Sequence, residues 1–526
     1  MHARYTRRLM VRAAQVLTAA LSLFLLPAYL APAGVRSTPL ALTYRVSPHP
    51  AAAASPPHTD VAILIGGIRN EKSVRLQMPV WSPGDYHVMN HAKYVRDFSA
   101  TGAGDKALAV TRPDDNTWEV ATEGAEAIRV RYTLPDTPPG YFSDNVTVRD
   151  KYAFYNGPAT YMYVVGHKED PACLNVKLPE GWKSATTPLE QDPDASAAAG
   201  EAAFRAPDYD TLADSPLVVG DFVTRSFSFA GRPHTLVFFD SHKGLDYDSF
   251  LPLVEKVVTE ENRLMGGPPY PRYSFFIDVN GRGGGLEHLN AQRIAWGRGY
   301  PIRFAAGFVA HEFFHLWNVK RVRPVVLGPF DYVNPPKTRN LWWCEGVTEY
   351  FADVSTLRAG LTSEEDFLAQ QGGAIRALQN NPARLRVTAD ESSLRVWEAG
   401  NSSGFGFSYY LKGQLIGLCL DLKLRHETGG RASLDDVMRD LMARYGLPKP
   451  GYPEDGLRDA VIRAGGPDMG SFYDLVARST KEMPFAQCLG YAGLKLDEEG
   501  GTYRITADKS ASPEAVSLRQ AWLKGR

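Results

Sequence analysis

Cysteine is scarce in this chain, and no excess of charge of either sign is present. The four cysteines, Cys173, Cys344, Cys419 and Cys488, lie far apart and show none of the close spacings of a thiolate metal site. Nothing before Cys173 offers a thiol, which excludes lipid attachment at a leader cleavage site. Four cysteines allow three full pairings, and buried free thiols suit the same spacing. Lys plus Arg number 58 against 59 Asp plus Glu, a formal net charge of −1. That balance gives no electrostatic case for nucleic acid or an anionic membrane as partner. Internal repeats are also absent.

One long apolar run is present at the N-terminus. Arg4, Arg7, Arg8 and Arg12 precede Ala13 to about Leu30, and Ala31-Pro32-Ala33 closes it. This order of positive, apolar and small residues is that of a secretory signal peptide, expected over residues 1–33. Pro27 and the modest length argue against an uncleaved anchor, so no stable membrane span is expected after cleavage. The mature chain is expected to start near Gly34 and to be periplasmic or secreted.

At 526 residues the chain exceeds a single core, and its text changes character along its length. From about Leu40 to Ser228 short β-rich runs such as 61–65, 73–78 and 128–133 alternate with turn clusters such as Ser82-Pro83-Gly84-Asp85 and Pro138-Pro139-Gly140. Residues 187–206 read as a surface excursion. An all-β domain is expected over 34–228. Leu253, Val254, Val257 and Val258 then open a helix-period pattern, and 273–279 reads as a strand. Beyond Leu341 helices dominate. Thr362 and Glu365 fit a capping box, 409–425 reads as a buried helix, and Ser433-Leu434-Asp435-Asp436 opens another.

The centre of this text is His311-Glu312-Phe313-Phe314-His315. On a helix, histidines four residues apart share one face and can bind one zinc ion, with Glu312 in reach of a water at the metal as general base. The same three fixed residues would also suit a core helix with two satisfied histidines. A third ligand is offered by Glu345, thirty residues after His315, with Glu349 one helical turn later as its rival or as acceptor for a histidine N–H. Gly283-Gly284-Gly285-Leu286-Glu287 offers an extended edge for a peptide backbone, with Glu287 facing a positive charge, or a plain turn. Tyr410 offers a phenol to an oxyanion, or a structural hydrogen bond.

The block from His311 through Leu316-Trp317-Asn318-Val319-Lys320-Arg321-Val322-Arg323-Pro324 closely resembles the extended zinc motif of the glycyl aminopeptidase family, bacterial gluzincin metallopeptidases with a thermolysin-like core. The stretches 78–86 and 94–98 resemble that family's N-terminal β-domain signatures, and Asp214-Ser215-Pro216 with Gly220 its link into the catalytic domain. The resemblance spans about Leu40 to Leu494. It implies one Zn2+ per chain held by His311, His315 and Glu345, with Glu312 as catalytic base. It further implies that Gly284, Gly285 and Glu287 receive a substrate's free N-terminus and that Tyr410 steadies the transition state. The expected fold class is α+β and multidomain. An all-β domain would be followed by a thermolysin-like zinc catalytic domain (229–360), a helical domain completing the active site (361–494) and a short tail (495–526). Many members end in a PDZ domain. Only 36 residues follow Gly490, fewer than the roughly 50 of an independent domain, so the tail is expected as an appendage.

The expected activity is zinc-dependent removal of N-terminal residues, small ones such as Gly or Ala, from peptides with a free N-terminus. The competing expectations are an exported zinc endopeptidase of the same fold and a non-catalytic exported binding protein.

Overall fold

Strict alternation of apolar and polar residues governs the first half of the molecule. In the strand His58–Gly66, Val61, Ile63 and Ile65 point inward while Asp60 and Leu64 face solvent, as the two-residue period of a strand with one wet face demands. The structure, a computed structural model, describes residues 39–52, 55–137, 146–193, 200–240, 245–281, 283–297, 300–399 and 407–525. The signal-peptide expectation for 1–33 and the turn at 138–140 lie outside these residues. Among the described residues no helix is long and apolar enough to cross a membrane.

Seven strands form the first sheet, in the order 190–191, 201–206, 172–177, 41–49, 58–66, 127–135, 96–101. Two four-stranded sheets pack with it around one core that includes Tyr44, Ile63, Leu76, Trp118, Val130 and Tyr155. The stretch 187–206, expected as an excursion, supplies the two strands at one edge of the large sheet.

A five-stranded sheet follows: β1 (Val223–Phe229), β2 (Arg232–Phe239), β3 (Tyr273–Gly281), β4 (Gly285–His288) and β5 (Ala291–Gly297), in the order β1-β2-β3-β5-β4. β2, β3 and β5 run parallel, and β4 returns antiparallel as the edge. The expected boundary at 228 therefore falls inside β1, and the change of sheet comes before Val223. Helix α1 (Phe250–Met265) makes the crossover between β2 and β3, which a parallel pair requires. Helix α2 (Ala305–Phe314) presses Phe313 against Tyr273, with ring centroids 4.8 Å apart.

Residues 342–347 form a π-helical turn that runs directly into helix α3 (Thr348–Arg358). Helices α4 (Glu364–Gln379) and α5 (Tyr409–Glu427) follow. Ser363 rather than Thr362 caps α4, accepting from the Asp366 backbone N–H at 3.1 Å, whereas Ser433 and Asp436 form a capping box at the helix expected to open there. Helix α5 is buried on nearly every side.

The region expected as a separate helical domain shares one hydrophobic core with the five-stranded sheet, from Leu236 through Leu415 to Trp522. The C-terminal stretch is likewise no appendage. It forms a hairpin (Leu494–Glu499 with Thr502–Ala507) and a helix (Pro513–Lys524) whose Trp522 is fully buried. The Trp522 indole donates to Tyr350 Oη at 2.8 Å, and Tyr350 in turn donates to Asp421 Oδ2 at 2.6 Å, joining the tail to α3 and α5. All four cysteines are free thiols.

Candidate active site

Helix α2 ends in the five residues on which the sequence is centred. His311 and His315 aim their Nε2 atoms at one another, 3.1 Å apart. Glu345 enters from the π-helical turn, its Oε2 lying 3.3 Å from His315 Nε2 and 3.6 Å from His311 Nε2. Insertions of this kind into helices gather at functional sites because they redirect side chains. Here the turn brings a glutamate thirty residues distant onto the face that the two histidines share.

The other ring nitrogens are already engaged. His311 Nδ1 meets Glu349 Oε2 at 2.7 Å, and His315 Nδ1 meets the Asn318 carbonyl at 2.8 Å. Facing acceptors, both Nδ1 atoms carry the proton in the neutral rings, and both Nε2 lone pairs then point into one small space beside a carboxylate. Glu345 Oε1 is buried there without a partner. Lone pairs crowded this way repel unless a cation lies among them, so the donor set fits a divalent metal ion. Glu349 supports His311 from outside the converging triplet.

Charge in the pocket tells the same story. Burial works against Glu345's ionisation, yet His315 and His311 hold its carboxyl down at about 2. Burial also disfavours charge on His311, but Glu345 and Glu349 outweigh it and raise that imidazole well above its ordinary value. The pocket is built to retain positive charge. Glu312 differs: burial pushes its carboxyl up to about 7, against the pull of His311 and His315.

Around this centre lies a cavity of about 420 Å³ lined by Gly84, Gly284, Gly285, Glu287, Phe308 and Tyr410 among others. The edge strand β4 forms one wall. Gly285 passes so close to Glu312 that a Cβ there would stand 2.2 Å from its Oε1. Glu287 is 3 % exposed, and its Oε1 has no hydrogen-bond partner. One carboxylate oxygen each of Glu287 and Glu312 and one ring nitrogen of His315 lie within 4.8 Å of one another. The tight turn at Ser82–Asp85 of the β-rich region covers the Glu287 end, where a Cβ on Gly84 would lie 2.6 Å from Glu287 Oε2. Tyr410, at the start of α5, stacks over His311 with ring centroids 6.2 Å apart. Burial and the Glu345 carboxylate keep its phenol well above the ordinary tyrosine range, and so protonated.

The candidate zinc ligands, Glu312, Tyr410, Glu287, Gly284 and Gly285 thus all line one cavity. The clamp that fixes β4 was not read from the sequence. Asp214 accepts from Leu289 N at 2.7 Å and from Lys320 Nζ at 2.7 Å, and pairs with His288 Nδ1 at 3.2 Å. Arg321 donates to Leu289 O at 2.7 Å and to Asn290 Oδ1 at 2.8 Å. Asn318 donates to Trp343 O at 2.9 Å, tying the histidine helix to the π-helical turn. The signal lay in the charged text just after His315: Lys320 and Arg321 are buried, and buried charge demands a partner.

Residues 14–221 match the family profile described as Peptidase M61 N-terminal domain, and residues 305–416 match that described as M61 glycyl aminopeptidase. The chain belongs to the M61 glycyl aminopeptidase family. It is a metallopeptidase. Among solved structures it is similar to an aminopeptidase N family protein from Idiomarina loihiensis, at 24% identity and a TM-score of 0.79 over 87% of this chain and 79% of that one. A more distant likeness is to an M1 zinc metallopeptidase mutant from Deinococcus radiodurans bound to a Tyr-Ser-Ala substrate, at 14% identity and a TM-score of 0.52 over 85% and 95% of the two chains. No curated protein matches the chain. In M61 terms, the β-rich half and the zinc-motif half meet at the Gly84–Glu287 contact.

Proposed function

We propose that this metallopeptidase is a zinc aminopeptidase acting outside the cytoplasm on peptides with a free N-terminus. The observation that carries the reading is Glu287: a buried carboxylate oxygen without a partner, beside Glu312 and His315, under the turn that holds Gly84. A substrate α-ammonium is the natural partner for such a group, since burying a carboxylate unpaired is costly. The Gly84 turn backs that end of the cavity, so the chain is counted from its terminus. A preference for glycine or alanine in first position rests on family membership.

His311, His315 and Glu345 would hold the zinc. When bound, zinc supplies a Lewis acid that polarises the scissile carbonyl and makes the attacking water more acidic. Glu312, its carboxyl pushed up to about 7 in this pocket, suits a group that takes the water's proton and hands it to the leaving amine. Tyr410 donates its phenolic proton in a hydrogen bond to the oxyanion. The extended backbone of β4 offers edge groups for pairing with the peptide.

The test compares a free-amine peptide with its N-acetylated copy, with and without chelator. The expected result is rapid cleavage of the free peptide alone, abolished by chelation and restored by zinc. Glu287→Gln should lose at least a hundredfold in kcat/KM on the free peptide. Equal cleavage of both peptides by the wild type would overturn the aminopeptidase reading in favour of an endopeptidase.

A further inference from the structure

Away from the active site, the outer end of the strand pair 41–49 and 58–66 carries another convergence of metal-type donors. His49 and His58 are direct cross-strand partners, and their rings stack with centroids 4.6 Å apart and planes 9° from parallel. Asp60, two residues further along, places Oδ2 3.1 Å from His49 Nε2. One donor atom from each of the three lies within 4.8 Å of the other two.

Two of the atoms left over, on His58 and Asp60, are anchored. His58 Nδ1 donates to the Pro56 carbonyl at 2.9 Å, which fixes the tautomer and leaves the Nε2 lone pair free. Asp60 Oδ1 accepts from Thr133 Oγ1 at 3.1 Å, which leaves Oδ2 turned towards His49. Outer hydrogen bonds of this kind orient ligands in metal sites. We propose that His49, His58 and Asp60 form a second, surface site for a divalent transition ion, with Cu2+ bound more tightly than Zn2+.

The chemistry selects the ion. Two imidazoles and one carboxylate suit copper and zinc, and affinity for such donors rises to a maximum at Cu2+. Calcium and magnesium require more oxygen donors than one carboxylate supplies. The side chains of His49 and Asp60 are 46% and 54% exposed, so water completes the coordination shell. An ion here would staple the ends of two neighbouring strands of the seven-stranded sheet.

Cu2+ titrated into the zinc-loaded full-length protein tests this, with metal content, electron paramagnetic resonance and thermal melting as readouts. The expected result is one copper retained per chain without loss of zinc, nitrogen couplings from two imidazoles, and a melting temperature raised by a few degrees. In His49→Gln and His58→Gln copper affinity should fall at least tenfold, with zinc content and peptidase activity unchanged. Equal copper retention by wild type and His58→Gln, copper that only replaces the zinc, or a spectrum without imidazole nitrogen would each overturn the proposal.

Discussion

Glu312 and Glu345 line one cavity, and it shifts their carboxyls in opposite directions. Glu345 is pulled towards ionisation by the histidines it faces, whereas burial holds Glu312 near neutrality. Glu312→Gln should therefore keep its metal while turnover falls by orders of magnitude, read by metal analysis beside a peptide assay. Glu345→Ala should lose most of the metal. Glu349→Ala should lose less, because Glu349 grips only the far nitrogen of His311; outer partners of this kind are worth about 10–100-fold in affinity. The reverse order of metal loss would make Glu349 the ligand. Gly285 belongs to the same scale: its missing side chain is the space that the Glu312 carboxylate occupies.

At the scale of elements, the site depends on two backbones that touch. A Cβ on Gly413 would stand 2.2 Å from Trp342 O, and one on Gly346 would stand 2.5 Å from Gly413 Cα. Helix α5, which presents Tyr410, thus lies directly on the turn that presents Glu345. Gly413→Ala should force the two apart, costing about 1–3 kcal/mol or more as overpacking does, and should weaken metal retention. Melting and metal content check this, and unchanged metal content would show the contact to be dispensable. Legibility followed range. His311 and His315 share one helical face, so their spacing marked them as candidates, and the flanking text through Pro324 with the words around Glu345 and Tyr410 carried the rest. Gly346 and Gly413 announce nothing, since a glycine carries no chemistry until a partner backbone is known. Thr362 and Ser363 are adjacent hydroxyls, and only the extended backbone of Ser363 settles which one caps α4.

For the whole molecule, Asp214 joins the β-rich half to the catalytic half. Burial would raise its carboxyl, but the Lys320 ammonium and His288 outweigh that and hold it at about 2. Because this lies below the unfolded value of roughly 3.9, its stabilisation is fully present above about pH 4. It is lost as pH falls through about 2. Asp214→Asn should destabilise by about 3–5 kcal/mol near neutrality, leaving Lys320 buried and unpaired. The gap to wild type should close towards pH 2 in denaturant melts taken across that range. Pairing it with Lys320→Met should recover stability but not activity, since β4 still lacks its anchor. The pairing itself was not legible, because 106 residues separate Asp214 from Lys320 and neither word names its partner. Boundaries blurred for a related reason: β1 has the alternation of any strand before it, and Trp522 shares a short polar tail with one other aromatic residue, Tyr503.

That last residue also sets a clock. The indole that caps Tyr350 on the helix after Glu345 lies 172 residues further along the chain. At about 5–20 residues per second of synthesis, the turn that presents Glu345 waits on the order of ten to thirty seconds for it. Through that interval helix α3 lacks one of its buried supports. The full set of buried contacts on that helix is therefore a late event, completed only when the last helix of the chain has been made.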